Sequence, residues 1–225
     1  MQTQMVDFDA AGVMTPGYLA RPDGNAPGVV VIQEWWGLDN HIKGIADRFA
    51  QAGFVAIAPD LYHGQVTHEP DEAKKLAMEL QYPEAMKDMQ GAVDYLLAQP
   101  FVSPKKVGII GFCMGGRLSG MMAYNGHNLS AAVPFYGMTA LSDEDAAKVS
   151  VPVLAIYGGQ DKGFPPELRE GNDQKLTAAG KPHEVVVYPD APHAFFNDTR
   201  PHIYDQTAAT DAWKRATDWF KRYLK

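Results

Sequence analysis

The chain has 225 residues, of which 46% are hydrophobic and 21% charged, and it carries a formal net charge of −7 at pH 7. These are ordinary globular proportions, sufficient to bury a sizeable core and inconsistent with disorder or a coiled coil. The balance of 27 Asp and Glu against 20 Lys and Arg argues against nucleic acid as a partner, because a phosphate backbone is bound by a basic face. Residues 1–9 show no basic segment followed by an apolar one, so no secretory leader is read there and the expected location is cytoplasmic. No apolar run approaches the roughly 18 to 20 residues a membrane-spanning helix needs, so no membrane partner is expected. The single cysteine, Cys113, cannot close an internal disulfide, which fits a reducing compartment.

Taken in chain order, residues 18–22 read as an antiparallel edge strand followed by the turn Pro22-Asp-Gly-Asn25. Residues 28–32 form the first buried strand, then helical spacing runs over 41–52 and a second strand over 54–58. The segment 62–82 is less regular and follows a strand end, a position suited to a lid or pocket wall. Beyond it the expected order is helix 83–97, strand 106–110, helix 114–124, strands 131–135 and 151–157, helix 166–179, strand 184–188 and helix 207–224. Short, continuously apolar strands alternating with helices predict an α/β fold, with a mostly parallel twisted sheet covered by helices on both faces. No linker-like composition divides the chain, so one domain over 1–225 is expected.

The stretch Val107-Gly-Ile-Ile-Gly-Phe-Cys-Met-Gly-Gly-Arg117 places Cys113 between two glycines where a strand should turn into a helix. Gly-x-Cys-x-Gly is the cysteine counterpart of the Gly-x-Ser-x-Gly elbow, which lifts its central side chain above a sheet edge. A catalytic thiol also needs a base and a feature that stabilises the thiolate; the N-terminus of the following helix supplies one such feature. His193 follows the last expected strand, and Asp161 follows the strand before it through Gly158-Gly-Gln-Asp161. In an open parallel sheet the carboxyl ends of the strands carry the site loops, so Cys113, Asp161 and His193 can meet there as nucleophile, orienting acid and base. The order nucleophile, acid, histidine is that of the α/β-hydrolases. Developing oxyanion charge would be held by the backbone N–H groups of Met114 and Trp35. Glu34 is a carboxylate in an aromatic setting within reach of the thiol or the histidine, with a role that spacing does not define.

The remaining candidates are aromatic or basic. Trp36, Tyr136, Phe195 and Phe196 are either ordinary core or part of a pocket wall, and their strand-end positions favour the pocket. Arg117, about one turn beyond Cys113, is expected to tie its helix to neighbouring acids. The other six histidines show no short paired spacing of the kind zinc ligands use, so neither a metal nor a cofactor is expected.

On Gln33-Glu-Trp-Trp-Gly37, Ala58-Pro-Asp-Leu-Tyr62, Gly111-Phe-Cys-Met-Gly-Gly116, Tyr136-Gly137, Gly158-Gly-Gln-Asp161 and His193-Ala-Phe195, nearly the whole chain resembles the dienelactone hydrolase family, the carboxymethylenebutenolidases. The resemblance implies an α/β-hydrolase fold, Cys113 as nucleophile, His193 as base, Asp161 as its partner, Glu34 as a carboxylate interacting with the nucleophile, oxyanion donors at Met114 and Trp35, and Tyr136 near substrate. It also marks a departure. Dienelactone specialists hold the substrate carboxylate with two arginines, whereas residues 62–89 here contain only Lys74, Lys75 and Lys87, and Asn197 stands four residues beyond the histidine. Neither Lys nor Asn reproduces a bidentate guanidinium clamp, which leaves Arg200 as the nearest substitute. The expectation is hydrolysis of a small-molecule ester or lactone through a thioester acyl-enzyme, by a monomer or weak homodimer. Its rivals are a ligand-binding protein that keeps the fold without turnover and a cysteine hydrolase of another fold, such as a class I amidotransferase-like protein.

Overall fold

The computed structural model describes residues 1–225. Its centre is an eight-stranded sheet built from β1 (Gln2–Ala10), β2 (Val13–Arg21), β3 (Ala26–Ile32), β4 (Val55–Pro59), β5 (Val102–Phe112), β6 (Ala131–Phe135), β7 (Val153–Gly158) and β8 (His183–Tyr188). The spatial order is β1-β2-β4-β3-β5-β6-β7-β8. Pairing is antiparallel from β1 to β2 and from β2 to β4, and parallel everywhere else. Helices α1 (Asn40–Gln51), α2 (Pro70–Glu79), α3 (Tyr82–Ala98), α4 (Met114–Asn125), α5 (Asp143–Lys148), α6 (Pro166–Ala178) and α7 (Gln206–Tyr223) complete the chain. No helix is long and apolar enough to cross a membrane.

Strand alternation divides the interior in two. Val29 and Val31 of β3 face one core with Ile42 and Phe49 of α1 and Phe220 of α7, while Val30 and Ile32 face a second core with Met89 and Val93 of α3 and Leu118 of α4. Because both faces are covered, the parallel strands can be apolar at every position, as the 28–32 run is.

Three elements differ from the sequence reading. The expected edge strand at 18–22 is the end of a longer β2, which forms a hairpin with β1. Ala11 and Gly12 close that hairpin with φ of 56° and 91°, the backbone of a two-residue primed turn. The strand β1 escaped notice because Gln2, Thr3, Gln4 and Met5 are exposed and show no apolar run. Within 62–82, α2 forms with Pro70 in its first turn and buries only Ala73 and Leu76, too narrow a stripe to read as helical. The short α5 rests on its cap, Ser142 Oγ accepting from Asp145 N at 3.0 Å. The other elements lie within a few residues of their expected bounds, the largest discrepancy being β5, which begins at Val102.

Chain topology places the functional loops. From β3 the chain runs through α1 to β4 on one side, and it later returns to β5 on the other side of β3. The carboxyl ends of β3 and β5 therefore flank a topological switch point, the place where open α/β sheets form binding crevices.

Candidate active site

Cys113 sits between β5 and α4 with φ 56° and ψ −114°. Left-handed backbone at a non-glycine residue is unfavourable and persists where surroundings over-determine it. Here they do: Cys113 N donates to Phe135 O at 3.2 Å, and Arg117 N donates to Cys113 O at 3.1 Å. Close approach explains the glycines. A Cβ on Gly111 would collide with the Gly115 carbonyl, one on Gly115 with the Gln33 carbonyl, and one on Gly137 with the Cys113 carbonyl. Tyr136 and Ala194 also have positive φ, at 36° and 59°, so the loops after β5, β6 and β8 are all held in strained conformations around one point.

Asp161 and His193 converge on that point. The Nδ1 atom of His193 lies 2.5 Å from Asp161 Oδ2, and the other carboxylate oxygen accepts from Gly163 N at 2.9 Å. With both oxygens engaged, the buried Asp161 is fixed in direction and fixes the ring. Burial works against protonation of His193. Hydrogen bonding to Asp161 and Cys113 and the negative charges of both more than offset it, raising the imidazole to about 10.

Cys113 and His193 line one cavity of about 290 Å³ with Trp35, Met114, Tyr136, Tyr82, Thr139, Phe164, Ala77 and Arg117. Phe164 stacks nearly parallel to the His193 ring at 6.4 Å, and Tyr136 meets it edge-on at 5.1 Å. The Tyr62 hydroxyl donates to Met114 Sδ at 3.3 Å. As the first residue of α4, Met114 has an N–H with no intrahelical acceptor, and the Trp35 N–H bonds to no backbone carbonyl. Both amides are free to serve a ligand oxygen.

Glu34 is 2% exposed. Its carboxylate accepts from Asn197 Nδ2 at 2.8 Å and from the Tyr136 hydroxyl at 3.5 Å, so its hydrogen bonds go to these two residues and not to the thiol. Burial pushes Glu34 above the usual carboxylate range, opposed by the nearby His41 and by the Asn197 bond.

Several expected substrate contacts lie elsewhere. Trp36, Asn197 and Arg200 line a separate cleft, and Phe195 is wholly buried against Phe135, Tyr136 and Tyr188. Trp35 and Trp36 pack edge-on at 5.1 Å, and together they stand between the two cavities, one lining each. Arg117 does not bind acids as expected; it lines the Cys113 cavity with its guanidinium 5.0 Å over the Tyr82 ring. Lys75 and Lys87 pair with Glu79 and Glu84 on the surface. Sequence reading missed Phe164 and Thr139 as walls, whereas Ala77 and Tyr82 lie within residues 62–82, the segment expected to form a lid or pocket wall. Phe164 carried a usable signal, three residues past Asp161 in the same loop.

A mostly parallel sheet with an elbow after its central strand and an acid and a histidine after later strands is the α/β-hydrolase fold, and solved structures of that class superpose along the whole chain. One from Klebsiella pneumoniae, described as a candidate dienelactone hydrolase, is 32% identical with a TM-score of 0.90, covering 99% of each chain. A dienelactone hydrolase-like promiscuous phosphotriesterase from metagenomic libraries is 26% identical with a TM-score of 0.89, covering 100% of this chain and 99% of that one. The chain belongs to the dienelactone hydrolase family, whose model matches residues 15–224. Among curated relatives, the protein usf of Aquifex pyrophilus is 41% identical over 98% of this chain and 99% of its own. A protein of Aquifex aeolicus described as a candidate carboxymethylenebutenolidase is 37% identical over 99% of both chains.

Proposed function

We propose that this family member hydrolyses small-molecule esters or lactones with Cys113 as nucleophile, through a thioester acyl-enzyme. The observation that carries the reading is the meeting of a strained Cys113 with the 2.5 Å His193–Asp161 pair at one cavity. The thiolate attacks the acyl carbon, and the N–H groups of Met114 and Trp35 receive the oxyanion. His193 then gives its proton to the leaving alkoxide, and water attacks the thioester with the imidazole as base.

The raised imidazole suits this sequence of steps. The Asp161 hydrogen bond and a negative charge on the Cys113 sulfur both favour the protonated ring, which suits an attacking thiolate. Acylation removes the sulfur charge and one reason for the raised value. The ring, having lost its proton to the leaving group, is then a weaker base than before and can release a proton after activating water.

The cavity walls indicate the substrate. Trp35, Tyr82, Tyr136 and Phe164 favour an apolar acyl group, and Arg117 is the cation beside them that a substrate carboxylate could meet. Turnover of p-nitrophenyl esters tests the reading: Cys113→Ala should lose activity by at least about a thousandfold, the scale of removing a nucleophile. Comparable turnover in purified Cys113→Ala would rule the mechanism out, whereas no turnover by the unaltered protein would favour a fold that binds without catalysis.

A further inference from the structure

A cleft of about 550 Å³ lies on the far side of Glu34 from the Cys113 cavity, and no residue lines both. Glu34 is the partition: it accepts from Asn197, which lines the cleft, and from Tyr136, which lines the catalytic cavity. The cleft carries charges of both signs, Lys43 and Arg200 against the Asp39 carboxylate. Lys43, His68 and Arg200 line it and none of them has a carboxylate within ion-pair distance. Neither Asp39, which lines the cleft, nor the adjacent Asp198 pairs with Lys43 or Arg200. Asp39 caps α1 through Ile42 N at 3.0 Å, and Asp198 holds His41 Nδ1 at 3.1 Å. His41 itself is 5% exposed, and its Nε2 has no hydrogen-bond partner.

A guanidinium without an ion-pair partner at a concave site attracts a counter-charge. The Arg200 guanidinium stacks 4.8 Å over the Trp36 ring, which leaves its in-plane N–H donors available for a planar acceptor. Leu38 and Val66 add apolar wall beside Trp36. From this arrangement we propose that the cleft is a second binding site, distinct from the substrate cavity, for a small organic carboxylate with a flat apolar body. The carboxylate is received by Arg200 with Lys43 adding charge, and the body lies against Trp36, Leu38 and Val66.

Calorimetric titration of protein whose Cys113 has been carboxamidomethylated tests the site without turnover, so its outcome is independent of the ester-hydrolase reading. Benzoate should bind, and neutral benzamide of the same shape should bind at least about tenfold more weakly, the factor carried by one charge-assisted hydrogen bond. Arg200→Gln should weaken benzoate by a similar factor, with Lys43→Gln as the second variant; the benzoate–benzamide comparison needs no variant at all. The proposal is overturned if benzoate fails to bind, if benzamide binds equally, if Arg200→Gln has no effect, or if inorganic phosphate binds as tightly as benzoate. Binding to unmodified protein that carboxamidomethylation abolishes would place the anion in the catalytic cavity and also overturn it.

Discussion

At the scale of single residues, the site is built from groups whose burial would be costly without specific partners. Glu34 is the sharpest case, a carboxylate 2% exposed that depends on Asn197 Nδ2 for its one short hydrogen bond. The Asn197 amide is committed to the Glu34 carboxylate. Asn197→Leu, which removes the donor while keeping bulk, should destabilise the protein by about 1–3 kcal/mol, the cost of an under-satisfied buried polar group. Urea denaturation at neutral pH measures it, and an unchanged midpoint would show that Tyr136 and His41 suffice for Glu34. The sequence made Cys113, Asp161 and His193 legible because each follows a strand end marked by glycine or proline, where local rules decide the geometry. It did not separate Trp35 from Trp36, or place Arg117, because those directions are set by contacts with Tyr82, Arg200 and other residues far along the chain.

At the scale of elements, the β5–α4 junction is the part least able to change. The end of strand β3 and helix α4 approach so closely there that a methyl group on Gly115 would meet the Gln33 and Ile32 carbonyls. Gly115→Ala should therefore cost about 1–3 kcal/mol through overpacking, and the displaced elbow should also slow alkylation of Cys113 by iodoacetamide. Loss of stability with an unchanged alkylation rate would mean that the junction holds the fold without aiming the thiol. Strand and helix order from β3 onward was readable because buried parallel strands are apolar runs and the main helices carry clear stripes. The hairpin strand β1 and the helix α2 were not, since both leave most of their surface exposed and depend on tertiary contacts for their position. That matters for function, because α2 contributes Ala77 to the cavity wall and Tyr82 begins α3 just after it.

At the scale of the whole molecule, folding and proton binding are linked through the same imidazole. His193 holds its proton more tightly in the folded protein, at about 10, than its ordinary value of 6.5. Stability from that preference is complete below about pH 6.5 and is lost as the pH rises through about 10. The difference in stability between the protein and a His193→Asn variant should therefore shrink between those values, and denaturation midpoints followed across that range would reveal it. A constant difference would show that the imidazolium is not favoured by the fold. The measurement closest to the central claim is rapid-quench mass spectrometry during turnover of p-nitrophenyl acetate, followed by peptide mapping. The account predicts one acetyl group on Cys113 that decays at the rate of turnover; efficient hydrolysis with no acetylated Cys113 at any time point, or with the acetyl group on another residue, would contradict it.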